Sequence, residues 1–450
     1  MRRLVALLLA CLPAPALADQ GPPAAILDAF IRDRLTESVL LMDQHFRVSE
    51  TGQYYDFVEI GQPQPPGAPS SIAATGLGLM SLAMGDALDV IADAEAKAAT
   101  TLRHLVGQGA HPGFDLIRSP SGWYPHFIDP LTGVPVNGSE EKFSTIDTAL
   151  LAAGAATAMR YFAAKSYAEG RGPSEVHDLA RELIDTVAWG QAIKSVERGL
   201  LHLVFYGPEE RPSDNVFANP FDEYVMLPCL AMRTERLMGY VGPAHELFQR
   251  HYSDAAAFPM VARGDQTLVA KPSGYIPAHF THQFAFYHCP EIGDQPAFRA
   301  ELYELAAADR AFFQDRRAET AGVFPVALWG HGAGTEIRFR PDGGLDGQGY
   351  GVARVEENPH DAASPAIMAG FGPLWQSGEA GDPMADLYAL WQDGTCRYDH
   401  AGLEFLWRCS ARAPQHPVAR VEAVDFSTYV LGLAARDRDL GMGFLRLFGP

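Results

Sequence analysis

Two stretches, "SSIAATGLGLMSLAMG" (residues 70–85) and "TALLAAGAATAMRYF" (148–162), consist of small and aliphatic residues with almost no polar face. A helix that is apolar nearly all round has to be covered on both sides. Other segments carry a single apolar stripe. Between Ala24 and Phe46 the apolar positions Leu27, Phe30, Ile31, Leu35, Val39 and Met42 recur at three-and-four spacing, the period of a helix buried on one face. Ser70–Leu88, Ala92–Val106, Ser144–Ala164, Ser174–Val187, Phe221–Tyr240, Pro296–Phe313, Ala362–Gln376, Pro383–Trp391 and Ala423–Ala435 also read as helices. An inner ring of fully covered helices inside an outer ring of amphipathic ones is an all-α fold, the (α/α)6 barrel or toroid. Strand-like alternation is minor and local, at Leu200–Tyr206 and Val323–Leu328.

Long connections separate these helices: 109–138, 207–220, 272–294 and 329–359. Loops of this length in a compact protein are usually functional, and their Trp, Tyr and His content argues against disorder. No composition break divides the chain. We expect one domain over residues 19–450, preceded by a leader: Arg2 and Arg3, an apolar run from Leu4 to Leu12, and Ala16-Leu17-Ala18 have the layout of a signal peptide cleaved after Ala18. A lipidated Cys11 is the lesser alternative. The expected location is periplasmic or secreted.

The formal charge of −20 becomes −22 once Arg2 and Arg3 leave with the leader. Such a surface repels nucleic acid and anionic lipid, and no later segment runs apolar for the roughly 18 residues of a membrane helix. Neutral or cationic small substrates suit it better. Of the four cysteines that remain, Cys396 and Cys409 are the best candidates for a disulfide; Cys229 and Cys289 are a second bridge or buried thiols. Without a CxxC or a Cys/His ladder, no metal or other cofactor is expected.

Carboxylates concentrate at helix starts. Ser144-x-x-Asp147 before an apolar helix has the form of a capping box, and it also puts Asp147 at the open end of an inner helix. Glu223, beside Asp222, falls in the first turn of a helix opened by Asn219-Pro220, among Phe217, Phe221 and Tyr224. Glu140 and Glu141 precede Asp147 on the loop. Glycoside hydrolysis requires two such carboxyl groups, one acid for the leaving oxygen and one base or nucleophile. "GWYPHFIDPLTG" (122–133) supplies Trp123, Tyr124, His126 and Asp129, flat apolar faces beside hydrogen-bonding groups, which suits pyranose rings. "HFTHQFAFYH" (279–288) is similar, and its His279-x-x-His282 lacks the acidic residue of HExxH. The glycine-rich segment 329–351 lacks Gly-Lys-Ser/Thr and is not a phosphate loop, and no GxSxG elbow occurs.

"PSSIAATGLGLMSLAMG", "GWYPHFIDPLTG", "FSTIDTALLAAG", "DEYVMLPCLA", "HQFAFYH" and "DAASPAIMAGFGP" together resemble, in this order, the bacterial glucoamylase-like family that includes the glycoside hydrolase family 144 endo-β-1,2-glucanases. The resemblance covers about Pro69 to Trp375. It implies an (α/α)6 barrel acting on β-glucan, with Asp147 matching the aspartate of the family's STID motif and Glu223 matching its loop glutamate. Asp222 stands where the family usually has Asn. Glu141 is the nearest counterpart of the family's acid before STID. The expected function is therefore an exported glycoside hydrolase using Glu223, Asp147 and Glu141, with Trp123, Tyr124, His126, Asp129, His282, Gln283 and Trp329 binding an oligo- or polysaccharide. A non-catalytic glycan-binding barrel and a polysaccharide lyase are the alternatives.

Overall fold

The computed structural model describes residues 22–446 except 141, 214–216, 219–220, 272, 321–322, 340–344, 347–348 and 417. The leader and Glu141 therefore lie outside the described residues.

The chain runs as helical hairpins that alternate between an outer and an inner layer. These are α1 (Ala24–Leu41) and α2 (Ile72–Ala87), α3 (Ala94–Leu105) and α4 (Thr145–Ala168), and α5 (Glu175–Asp185) and α6 (Met226–Leu237). α7 (Pro243–His251) and α8 (His279–His288) follow, then a single turn, α9 (Pro290–Gly293). α10 (Pro296–Glu319) packs on α11 (Pro365–Phe371), α12 (Pro383–Gln392) packs on α11 and α1, and α13 (Ala423–Arg436) follows before the short α14 (Gly441–Leu445). The even-numbered helices α2, α4, α6 and α8, with α11 and α13, form the inner ring. Each touches the next, and α13 returns to α2, so the ring closes. The fold is the (α/α)6 barrel.

The small residues explain the tightness of the ring. α2 is buried continuously from Ile72 to Gly85 and α4 from Asp147 to Ala158. Their axes come so close that a Cβ on Gly154 would sit 1.8 Å from the Gly76 carbonyl oxygen, and one on Gly76 would sit 2.4 Å from that of Leu150. The outer helices show the complementary pattern: α5 buries Val176, Leu179, Ala180 and Leu183 and exposes Glu175, Asp178, Arg181, Glu182 and Asp185. Among the described residues no helix is long and apolar enough to cross a membrane.

α8 lies where the sequence suggests a connection, 272–294, and α7 in a stretch that the sequence reading leaves unassigned. α8 buries nine of its ten residues, so it has no polar face to give a period, and its aromatics and histidines mimic a ligand loop. The helix expected from Phe221 begins at Met226, after a 3₁₀ turn at Glu223–Val225. Residues 323–328 form turns and irregular backbone instead of a strand.

Short antiparallel strands stitch the chain just before several inner helices. Ser70–Ser71 pairs with Phe127–Ile128 ahead of α2, Lys142–Ser144 lies between Tyr124–Pro125 and Val204–Tyr206 ahead of α4, and Arg420–Glu422 pairs with Phe57–Glu59 ahead of α13. They hold the N-terminal ends of the inner helices at one mouth of the barrel. Two disulfides are present, Cys229–Cys289 joining α6 to the end of α8, and Cys396–Cys409.

Candidate active site

A cleft of about 640 Å³ opens at this mouth. Its wall is built from helix starts: Ala73 of α2, Ser144, Ile146 and Asp147 of α4, Glu223 and Tyr224 before α6, Phe280 and Phe284 of α8, and Val424 and Asp425 of α13. Asp56, His126, Phe127, Tyr350 and Glu422 complete it. Five carboxyl groups thus meet in one cavity, and the unsatisfied amides at helix N-termini favour negative charge there.

Asp147 is not itself the cap of α4; it donates its backbone N–H at 3.3 Å to Oγ of Ser144, which is. Its carboxylate remains free of that task and forms an ion pair with His126, Oδ2 to Nδ1 2.7 Å. Burial opposes charge on His126, but Asp147, by charge and hydrogen bond, raises the imidazole pKa overall. Glu223 is raised to about 7, first by burial and then by the charges of Asp222 and Asp147, against Lys271 and His126. Asp222 takes a supporting position: it accepts from the Glu223 backbone N–H at 2.6 Å and pairs with Lys271.

The second acidic centre lies at the start of α13. Glu422 is raised to about 7, mainly by burial, with Thr335 Oγ1 donating to its Oε1 at 2.7 Å and opposing the rise. Asp425 is raised to about 8, by burial and then by Glu422. Asp56 reaches about 6, again chiefly through burial. In ring order Glu223 belongs to the third inner helix and Asp425 to the sixth, so the two stand across the mouth from each other. A proton held near neutral pH on either side is what acid–base work needs.

Of the residues singled out in the sequence, Glu223, Asp147 and His126 come together. Others do not reach the cleft. Trp123 is fully buried between Trp189 and Phe205, with ring centroids 5.5 and 5.6 Å away. Tyr124 is also buried and donates its hydroxyl to the Leu105 carbonyl at 2.9 Å. Asp129 closes a turn, accepting from the Thr132 backbone N–H at 2.8 Å and its hydroxyl at 2.9 Å. His282 is buried 4.8 Å from Phe221 and held neutral, its pKa pushed down to about 3 by burial. Gln283 ties α8 to α11 by donating to the Ile367 carbonyl at 2.8 Å. Trp329 donates to Asp386 at 2.8 Å under the Arg310 guanidinium, 4.5 Å from the ring. His279 is not paired with His282 but bonds buried Asp309 at 3.0 Å, which also accepts from His331 at 2.5 Å. Glu140 is exposed.

Asp56, Glu422, Asp425 and Tyr350 went unread in the sequence. "VEAVDFSTY" (421–429) does repeat the pattern of "FSTIDTALL": polar residues three apart at the start of an apolar helix. The side chains brought nearest to metal-ligand spacing among the described residues are Cys229, Cys289 and Glu291, and the two cysteines are bonded to each other.

No family model and no curated protein matches the sequence. Solved structures do. An endo-β-1,2-glucanase from Chitinophaga pinensis, in complex with sophorotriose and glucose, is similar with a TM-score of 0.66 at 12% identity over 95% of each chain. An endo-β-1,2-glucanase from Talaromyces funiculosus with sophorose has a TM-score of 0.63 at 14% identity, covering 94% of this chain and 87% of that one. A D-mannose isomerase is similar at a TM-score of 0.51 and 12% identity, over 90% of this chain and 97% of that one. At such identities the likeness is one of fold, and it falls on the same kind of protein as the motifs. In fold, this chain is an (α/α)6 barrel of the kind found in endo-β-1,2-glucanases.

Proposed function

We propose that this protein is an exported glycoside hydrolase that cleaves β-glucan, with β-1,2-glucan the first substrate to test. The observation that carries the reading is the placement of Glu223 and the Glu422/Asp425 pair on opposite inner helices, with a cleft of about 640 Å³ between them. The motif resemblance and the likeness in fold to two endo-β-1,2-glucanases support the substrate class. Two disulfides and the leader-like first 18 residues support export.

In this reading Glu223, which holds its proton up to about pH 7, gives it to the glycosidic oxygen as the bond to the anomeric carbon breaks. A water oxygen bonds to that carbon, and its proton passes to the ionised member of the Glu422/Asp425 pair. Asp147, paired to His126 beside Glu223, keeps the proton on the acid and places negative charge near the developing oxocarbenium ion. Phe127, Phe280 and Tyr350 offer apolar faces to the sugar rings. Incubation with a panel of β-linked glucans, scored by reducing ends and product chromatography, tests the reading. Release of oligosaccharide from β-1,2-glucan is expected; binding without release from any glucan would sink it in favour of a glycan-binding barrel.

A further inference from the structure

The glycine-rich segment 329–351 is the one prominent sequence feature without a role so far, and a hairpin within it meets both acids at the start of α13. Its strands Ala333–Thr335 and Tyr350–Val352 pair in antiparallel register. From one strand, Thr335 Oγ1 donates to Glu422 Oε1 at 2.7 Å. From the other, the Tyr350 hydroxyl donates to Asp425 Oδ1 at 3.2 Å. The hairpin is anchored from behind by Arg408, only 2% exposed, which donates from Nε to the Thr335 carbonyl at 3.0 Å and from Nη1 to that of Gly332 at 2.5 Å. Gly334 makes the approach possible. At φ +132° a side chain is strained, and a Cβ there would come within 3.1 Å of Glu422 Oε2 and 3.2 Å of Arg408 Cδ. Glu422 Oε2 is itself buried, so the hairpin packs over the carboxyl group that it holds.

We propose that Tyr350 and Thr335, carried on this single hairpin, are positioning residues that orient Asp425 and Glu422 and set which of them holds a proton. Tyr350 has a second part in the same site: the residue is 56% exposed and lines the cleft, presenting an aromatic face to a sugar ring while its hydroxyl stays on the carboxyl group. The groups facing Asp425 are Glu422, Arg408, Tyr350 and Asp56. Within that set the hydroxyl of Tyr350 is the neutral donor, and hydrogen bonding to the charged form favours it. Removing the hydroxyl therefore shifts the Asp425 midpoint to higher pH. The inference rests on the glycosidase reading for its kinetic consequence and is independent of it for the titration.

The experiment compares wild-type protein, Tyr350→Phe, Tyr350→Ala and Thr335→Val. Carboxyl titration of Asp425 and Glu422 by carbon-13 NMR needs no activity. Tyr350→Phe is expected to raise the Asp425 midpoint by about one pH unit, and Thr335→Val to raise that of Glu422. On β-1,2-glucan, Tyr350→Phe is expected to lower kcat about tenfold with KM within twofold, because the ring remains; Tyr350→Ala adds a rise in KM. Unchanged midpoints and kcat in Tyr350→Phe would overturn the proposal, as would a loss confined to KM. Should Tyr350→Phe melt early, Thr335→Val decides through the Glu422 midpoint alone. Wild-type protein that cleaves no glucan would refute the glycosidase reading while the titration still judged the positioning role.

Discussion

Replacing Asp425 by Asn should make the protein more stable in alkaline solution. Asp425 is buried and its pKa stands at about 8 against an ordinary 3.8. The folded state thus binds a proton more tightly than the unfolded chain does. The stability so contributed is complete below about pH 4 and is lost as pH rises through 8. That gap, at about 1.4 kcal/mol per pH unit, sets a ceiling of ~6 kcal/mol. Glu422 shares in the repulsion, so about half, ~3 kcal/mol, is a reasonable share for Asp425 itself. Asparagine keeps the oxygen that accepts from Tyr350 and fills the same volume without a charge to desolvate. For a chain of this length the unfolding entropy is about 0.9 kcal/mol/K, so the gain at pH 9 corresponds to about 3 °C in Tm. Thermal melts of both proteins from pH 4.5 to 9 measure it. The curves should nearly coincide at pH 4.5, separate steadily up to about pH 8 with the variant higher, and run parallel beyond it. Parallel curves, or a variant less stable at pH 9, would refute the placement of a proton-holding, desolvated carboxyl at the start of α13.

Other expectations follow from the same geometry. His126→Gln removes one of the two cations that hold the Glu223 pKa down, so the alkaline limb of kcat/KM should move to higher pH; a pH–rate profile reads this directly. In the wild type that profile should be bell-shaped around pH 7, falling above it as Glu223 loses its proton and below it as the Glu422/Asp425 pair gains one. Removing the Cys229–Cys289 bridge by double substitution to Ser should cost ~4 kcal/mol, from loop-closure entropy over its 60-residue separation, measured by denaturant titration. Gly154→Ala drives a methyl group into the backbone of α2 and should cost ~3 kcal/mol or more, visible as a lowered Tm.

The architecture was legible because the inner helices have to be small and apolar on every side to pack between two layers. That is a composition signal as much as a periodic one, and it marks α2 and α4 directly. α8 escaped it because aromatic and histidine residues fill the same role there, and a helix without a polar face has no period to read. The same ambiguity misplaced the sugar contacts. Trp123, Tyr124 and Trp329 look identical in sequence whether they stack on a pyranose or on Phe205 and Arg310, and only packing separates the cases. Asp147 and Glu223 could be found from helix starts beside aromatic loops. Glu422 and Asp425, nearly 200 residues further on, join them only when the ring closes between α13 and α2. Asp56 sits on a connection with no local motif at all, and reaches the cleft through the pairing of Phe57–Glu59 with Arg420–Glu422.

The central claim is that a protonated Glu223 cleaves a β-glucan in the cleft at the barrel mouth. Its most direct test is the release of reducing ends from β-1,2-glucan by wild-type protein and by Glu223→Gln, at pH 7 and with melting curves recorded for both. The account predicts hydrolysis by the wild type and a fall of about a thousandfold in the variant, with Tm unchanged or raised. A folded Glu223→Gln variant that hydrolyses the glucan at the wild-type rate would contradict it.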